Sequence, residues 1–314
     1  MSPELALGLA GGSVADRILG DPRRWHPVAG FGRTALILER GLWRPRRPAG
    51  AVYAGVLVGG VAAVAALVDR ALARRPPVRA AFIAAVTWST LGGRSLGLEA
   101  RRLAAEVRKP DLPAARRRLP SLAGRDPSGL GGPELCRAAV ESVAENTADA
   151  VVGPLLWGAL AGVPGAAAYR AANTLDAMVG HRSDRYRHFG WAAARLDDVL
   201  TWPAALLGAA LAVLLAPAGS RGVALRALRR YGGSHPSPNA GRMEAAFAGA
   251  LGLGLGGRNV YGTVVEQRPR IGDGPAPTPD DVDAAVRLAR SVGVAAACLC
   301  AAGALLRPRG GGGR

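Results

Sequence analysis

"ESVAENTADAVVGPLLWGALAGVPG", residues 141–165, sets Glu141, Glu145, Asn146 and Asp149 directly ahead of a long uncharged run. The run, 150–169, is broken by Pro154, Pro164 and four glycines. A bilayer's hydrocarbon core needs about 20 residues of helix. The segment is therefore long enough to enter a membrane and too interrupted for a simple crossing. A solvated helix end would account for the acids, and so would a catalytic site at a membrane surface; the rest of the chain has to decide.

Other windows of the same kind lie at 51–68, 80–93, 199–220 and 291–306. The windows 51–68 and 199–220 are of spanning length, whereas 80–93 is too short to span alone. With 49% hydrophobic and 20% charged residues in 314, and a mean hydropathy of +0.15, the chain is oily for a soluble enzyme. Several long uncharged runs rarely coexist in a soluble protein, so the expectation is an all-α, polytopic membrane bundle with long polar loops and re-entrant helices. It is read as a single membrane-embedded domain, 1–314, with a flexible tail at 307–314. The N-terminus has Glu4 where a signal peptide would be basic, and it reads as part of the fold. No strand-period alternation persists anywhere, and 170–198 and 229–290 read as polar, motif-rich connections.

The formal charge is +17, and of 40 basic residues only Lys109 is lysine. So uniform a bias speaks of composition, and no nucleic-acid-binding motif accompanies it. What the charge does favour is contact with anionic lipid headgroups and anionic substrates. The three cysteines, at 136, 298 and 300, fit neither a disulfide framework nor a zinc site. Basic residues in nearly every connection leave the topology open to the positive-inside rule.

Three stretches carry polar chemistry. In 141–149, Glu141, Glu145 and Asp149 fall on one helical stripe with Ser142 and Asn146 beside it. Like charges so arranged repel unless a cation intervenes, and magnesium held by carboxylates and substrate phosphates suits them. The bland alternative is a solvated face on which Arg137 pairs with Glu141 at i,i+4. In 173–200, Asn173 and Asp176 end one apolar helix, while Arg195, Asp197 and Asp198 open the next; helix-dipole pairing is the competing reading there. Arg185 and Tyr186 between them could be interfacial anchors. In 234–262, His235-Pro-Ser237-Pro-Asn239 cannot be helical and feeds a glycine-spaced helix, a place where backbone amides can face phosphate. A second His-Pro turn, His26-Pro27, follows Asp21-Pro22, so two rigid turns could frame one site.

Together these pieces resemble the cobalamin-biosynthesis proteins called CobD or CbiB, the adenosylcobinamide-phosphate synthases. The resemblance rests on "DRILGDPRRWHPV" (16–28), "GRDPSGL" (124–130), "ESVAENTADAVVGPLLW" (141–157), "YRAANTLDAMVGHRSDRYRHFGWAAARLDDVL" (169–200) and "HPSPNAG…EAAFAGALG" (235–252). They run in the family's order over nearly the whole chain. The resemblance implies a multi-pass cell-membrane enzyme with its site facing the cytoplasm. It would join adenosylcobyric acid, through a propionate carboxylate, to aminopropanol or its phosphate, using ATP and Mg2+. It implies catalytic roles for Glu141, Glu145, Asp149, Asp176, Asp197 and Asp198, with metal held by Glu145, Asp149, Asp197 and Asp198. Nucleotide and substrate contacts would fall to Asp21, His26, Asn146, Asn173, Arg185, Arg195, His235, Ser237 and Asn239.

The expected partners are the corrinoid, the amine and membrane lipid, with other corrinoid-pathway enzymes and a homo-oligomer left open, and no nucleic acid. Where the family has Asn, Arg, Thr and a Trp-Pro pair, this chain has Thr201, Ala205, Pro127 and Arg242-Met243. A transporter or scaffold of the same fold and a magnesium-dependent phosphotransferase on a lipid-like substrate are the competing functions. A transporter should hide charge in mid-span; here the acids gather at span ends. Because ATP is cytoplasmic, 150–169 is expected to return to its own side as a bent hairpin or re-entrant pair.

Overall fold

A computed structural model describes residues 3–22, 26–109, 111–181, 183–261 and 264–306, so the tail at 307–314 lies outside the described residues, as do 23–25 of the first loop. The helices are α1 (Pro3–Leu19), α2 (Pro27–Leu42), α3 (Arg47–Ala71), α4 (Pro76–Thr90), α5 (Gly93–Arg108) and α6 (Leu112–Arg118). They continue as α7 (Gly132–Thr147), α8 (Gly153–Val179), α9 (Trp191–Leu214), α10 (Arg221–Tyr231), α11 (Ala240–Leu251) and α12 (Pro279–Leu306). A short antiparallel hairpin, β1 (Leu255–Tyr261) and β2 (Val264–Ile271), is the one sheet among the described residues. The chain divides into two compact units: Met1–Gly92 with Asp149–Pro203 and Ala296–Arg314, and Gly93–Ala148 with Ala204–Ala295.

Four helical stretches are long and apolar enough to cross a membrane: Arg47–Ala71, Gly132–Val179, Trp191–Leu214 and Pro279–Leu306. In α3 only 22% of the most apolar window is buried inside the protein, and Val52, Val56, Val64 and Leu67 are all more than half exposed. A stripe of that size would be an aggregation hazard in water and is an ordinary lipid-facing surface in a bilayer. The fold is thus the expected all-α membrane bundle.

The first unit is packed through small residues. A Cβ on Gly8 would lie 2.4 Å from Ile83, and one on Gly12 2.5 Å from Thr87, so α1 and α4 meet almost backbone to backbone. Small residues four apart allow this approach, which replaces the hydrophobic drive that lipid does not supply. Nearby, Ala35, Tyr53, Leu57, Leu175 and Phe189 form a core, with the Tyr53 hydroxyl donating to Ala35 O at 3.1 Å.

The stretch 141–169 behaves partly as its sequence suggests. Helix α7 ends at Thr147 and passes into a π-helical turn, Ala148–Val152, which widens the spiral at Asp149. Helix α8 then breaks at Gly162, whose φ of 71° and ψ of −162° only glycine readily adopts. Beyond it the chain turns back on itself. A Cβ on Gly153 would lie 2.2 Å from the Tyr169 ring, and one on Gly158 would lie 3.6 Å from Ala166 Cβ. In a straight helix Gly153 and Tyr169 would stand about 24 Å apart. The bent helical hairpin expected from Pro164 and the glycines is present.

The second unit contains what the sequence did not announce. Helix α12 begins at Pro279, ahead of its oily window, and β1–β2 falls inside the stretch read as a connection. The strands lack alternation because, among the described residues, the hairpin buries apolar side chains only at its base, Leu255 and Ile271, while Val265, Glu266 and Gln267 are exposed in succession. Its register slips by one residue between Leu255 and Gly257, where Gly256 and Gly257 have φ of 80° and 94°, a bulge of the kind glycine permits.

The hairpin in α8 makes a direct prediction. With the three native cysteines replaced, G158C/A166C should form an intrahelical-hairpin disulfide on mild oxidation, because its Cβ separation matches that of a disulfide. A mobility shift or mass loss after oxidation reads the bond; persistent free thiols would show that α8 runs straight through Gly162.

Candidate functional site

In the first unit the polar residues gather on Arg170, midway along the second arm of α8. Asp149, Asp21 and Asp197 all lie within its electrostatic reach. Its Nη1 donates to Asn173 Oδ1 at 3.4 Å, and Asn173 in turn donates to Asp197 Oδ1 at 3.2 Å. Thr201, one turn along α9, donates to the same Asp197 oxygen at 3.3 Å and meets the Tyr169 hydroxyl at 3.1 Å. Asp197 is 9% exposed, and Asp176 and Asp198 sit within electrostatic range of it. Arg195 pairs with Asp198 at 3.2 Å on the more open side. Of the residues expected here, Asp21, Asp149, Asn173, Asp176, Asp197 and Asp198 are therefore brought together.

His26 borders this group. Its Nδ1 accepts from Val28 N at 3.2 Å and so heads α2, which leaves Nε2 as the protonated nitrogen of a neutral ring. Burial lowers its pKa, with Arg170 acting the same way and Asp21 opposing. Arg185 is elsewhere. It reaches Glu39 at 2.8 Å and stacks over Trp43 and Tyr186, with ring centroids 4.8 and 5.5 Å away. That set fixes the 183–190 turn against α2.

In the second unit the acids divide by role. Glu141 is 1% exposed and holds Arg125 Nη2 at 2.6 Å, Arg137 Nη1 at 3.3 Å and Gly256 N at 2.7 Å. The two arginines also bond Asn259 Oδ1, at 3.0 and 3.3 Å, and Arg137 caps the carbonyls of Gly256 and Arg258. Both carboxylate oxygens of Glu141 are thereby committed to docking the hairpin bulge onto α7. The i,i+4 pairing with Arg137 that the spacing allowed is real, within a larger network. Asn146 Nδ2 donates to Ser142 O at 2.9 Å and to its hydroxyl at 3.2 Å, which settles it along its own helix.

Next to this network is a buried acid absent from the sequence-based site. Glu244 on α11 is 1% exposed, and its Oε1 lies 3.9 Å from His235 Nε2. His235 Nδ1 accepts from Ser237 N at 3.0 Å, the same device as at His26, which leaves Nε2–H aimed at Glu244. Ser237 Oγ accepts from Asn239 N and Ala240 N and so caps α11. Burial pushes the Glu244 carboxyl well above the usual carboxylate range, and nearby Glu141 and Glu145 push it further. Burial likewise lowers the His235 imidazole, helped by Arg268. The separation would suit an ion pair, but both shifts favour a neutral acid facing a neutral ring.

Arg170 and Glu244 carry a legible mark: each is one of only two charges in a largely apolar helix, Arg170 with Asp176 on α8 and Glu244 with Arg242 on α11. Such residues are costly in a membrane protein and usually functional. Arg125 lies in the "GRDPSGL" stretch, but only the fold brings it and Asn259 to Glu141. Among the described residues no three His, Cys, Asp or Glu side chains converge as a ready-made metal cage. Magnesium commonly takes only one or two carboxylates along with substrate phosphates, and Asp149 and Asp197 beside Arg170 suit that arrangement.

Helices of spanning length that enclose ionisable clusters define an all-α membrane protein with polar chemistry inside its apolar fold. More specifically, the chain belongs to the CobD/CbiB family, whose model, described as "CobD/Cbib protein", matches residues 9–289. It is 52% identical over 296 residues to the "Cobalamin biosynthesis protein CobD" of Mycobacterium tuberculosis, covering 94% of each chain. It is 45% identical to the protein of that name from Geobacter metallireducens, over 83% of this chain and 84% of the relative. For the one from Chromobacterium violaceum the identity is 41%, over 88% and 89%. No solved structure matches the chain.

Two predictions separate structure from chemistry in the second unit. Glu141→Ala leaves two buried guanidinium groups without their acid and should cost about 3–5 kcal/mol of stability; thermal melting in detergent unchanged from wild type would overturn the clamp. Glu244→Gln should act through pH. A carboxyl whose folded pKa is raised favours the fold below its unfolded value, near 4.5, and loses that contribution as pH rises towards its folded value. The melting advantage of the variant over wild type should therefore grow from pH 5 to pH 8, by at most ~1.4 kcal/mol per pH unit. His235 works in the opposite sense, losing stability as pH falls below about 6.5, but it is common to both proteins. A constant difference across the range would mean that Glu244 is ionised in the fold.

Proposed function

We propose that this protein is a biosynthetic enzyme of the cobalamin pathway that makes an amide bond at the cost of ATP. The acid is the propionate carboxylate of adenosylcobyric acid, and the amine is aminopropanol or its phosphate ester. The reading is supported by membership of the CobD/CbiB family and by the names of its relatives. The observation that carries it is the Arg170 group: a buried guanidinium whose Nε has no hydrogen-bond partner among the described residues, set among Asp21, Asp149 and Asp197. An unsatisfied buried donor is costly, and a phosphate oxygen is the partner that a guanidinium fits best.

A carboxylate does not condense with an amine unaided. In the proposed sequence a propionate oxygen attacks the terminal phosphorus of ATP and the bond to the bridging oxygen breaks, giving an acyl phosphate and ADP. The amine nitrogen then attacks the acyl carbon, the carbon–oxygen bond to phosphate breaks, and phosphate leaves. The proton lost by nitrogen passes to a carboxylate of the group, Asp149 or Asp197. Arg170 holds the transferring phosphoryl group and balances its charge, while Asn173 and Thr201 keep Asp197 in one orientation. Magnesium bound by Asp149, Asp197 or Asp198 would supply further neutralisation of the phosphate oxygens. Glu145, on α7 of the other unit, is a separate candidate for metal or nucleotide. Because ATP is cytoplasmic, the Arg170 group is proposed to face that side of the cell membrane.

The test is an assay of purified, detergent-solubilised protein for ATP-dependent conversion of adenosylcobyric acid with either amine. Arg170→Gln and Asp197→Asn should each lower kcat at least about 100-fold, the scale for loss of a group that stabilises transition-state charge. Glu145→Ala and Asp198→Ala should abolish turnover with melting unchanged. Arg185→Ala should act mainly through stability, since its partners are Glu39 and Trp43. Full activity in Arg170→Gln would remove this group from the reaction, and absence of product from wild type with both amines would remove the ligase reading.

A further inference from the structure

A cleft of about 700 Å³ opens between α10 and α11 in the second unit, remote in sequence from the Arg170 group and unused by the proposed chemistry. Its walls include Arg226, Arg229, Arg230 and Tyr231 of α10 and the glycine turns around Gly252 and Gly274. We propose that this cleft binds a phosphate group carried on a larger molecule at the membrane surface; the inference does not depend on the ligase reading.

The cleft is built by close packing. A Cβ on Gly249 would lie 2.6 Å from both Ala224 Cα and Ala227 Cβ, so α11 lies against the small-residue face of α10. The arginines are left on the adjoining face. On the other side, Gly252 has a φ of 69°, and a Cβ on Gly274 would lie 1.9 Å from Gly252 O. The two turns therefore touch backbone to backbone, and three glycines, Gly252, Gly272 and Gly274, line the cavity with Leu253 and Asp273. The amides of Asp273 and Gly274 donate to no acceptor among the described residues.

Charge is what selects the ligand. Three arginines line the cleft against one acid, Asp273, and that acid is engaged: the Tyr231 hydroxyl donates to it at 2.5 Å and Arg230 stands 3.8 Å away. Arg226 and Arg229 pair with no acid among the described residues. The bland reading is a solvated face on an arginine-rich chain. A solvated face alone does not explain three arginines lining one concave cleft whose far side carries two amides with no acceptor among the described residues. Concave, low-dielectric walls focus such a field, and planar guanidinium forks match phosphate oxygens. The volume corresponds to over twenty waters at about 30 Å³ each, so the ligand has a body as well as a phosphate.

Position narrows the source. Helix α10 starts at Arg221, shortly after span-length α9 ends at Leu214, and it carries exposed Val223 and Leu225 beside its arginines. The intervening residues reach at most about 25 Å from the span's end. A phospholipid headgroup and a soluble phosphate ester share the required chemistry, and both can approach such a site.

The experiment uses the full-length protein, purified in detergent and also placed in nanodiscs. R226Q/R229Q is compared with wild type and with R287Q/R290Q, which removes the same charge from exposed positions on α12. One arm titrates phosphoethanolamine at constant ionic strength and reads the melting shift. The other reads retention of phosphatidylglycerol over phosphatidylcholine by native mass spectrometry. Wild type and R287Q/R290Q should respond in at least one arm, and R226Q/R229Q should bind about tenfold more weakly there, the scale for losing a charge-assisted bond. A response confined to the first arm assigns a soluble ester, and one confined to the second assigns lipid. No response from wild type in either arm, or equal weakening in both double variants, would overturn the site.

Discussion

The reversal at Gly162 is the constraint on which the first unit turns. Within a bilayer every backbone amide must find its partner inside the protein, so a chain can reverse there only by a short break flanked by helix on both sides. Gly162 supplies the break with a backbone conformation closed to other residues, and Pro164 cannot donate an amide to the turn that follows. The two arms then need small residues where they meet, and Gly153, Gly158 and Gly165 occupy those places. Tyr169 fills the space above Gly153 and reaches Thr201 on α9, so the reversal also fixes the helix that carries Asp197. Arg170 follows directly. The polar group is thus a consequence of where one glycine bends the chain.

The two units use buried charge in contrasting ways. Glu141 is saturated: each of its oxygens meets a guanidinium, one of them also takes an amide, and its neighbours are tied to main-chain carbonyls. A densely bonded network of this kind holds parts in register, here a hairpin whose apolar burial among the described residues is confined to Leu255 and Ile271. The Arg170 group is open, with an unsatisfied Nε and several acids held near one cation. An open set is less comfortable for the fold and more useful for chemistry. Proximity in sequence to a recognisable motif does not tell the two apart; the bonding of the last oxygen or nitrogen does.

The legibility of the chain follows from the same physics. Span-length runs, the break in 150–169 and the acids at helix ends are local features, and the sequence displays them. The β1–β2 hairpin was not legible, because strand periodicity reports burial along one face and this hairpin, among the described residues, buries apolar side chains only at its base, Leu255 and Ile271. Its anchor is Glu141, about 115 residues earlier in the chain. The π turn at 148–152 was not legible either, since nothing in "ADAVV" marks a widened spiral. Arg170 and Glu244 are visible in the sequence as rare charges in alanine-rich helices.

The departures from the family's pattern can be weighed on the same footing. Thr201 stands where the family has Asn, yet its hydroxyl reaches Asp197 and Tyr169, so a hydrogen-bonding side chain is kept at that turn of α9. Ala205, at the place of an Arg, is fully buried. A long cation there would need either a partner or a path to solvent, and burial of an unpaired guanidinium would cost several kcal/mol. Close packing around Ala205 thus explains why Arg is not tolerated in this chain's interior.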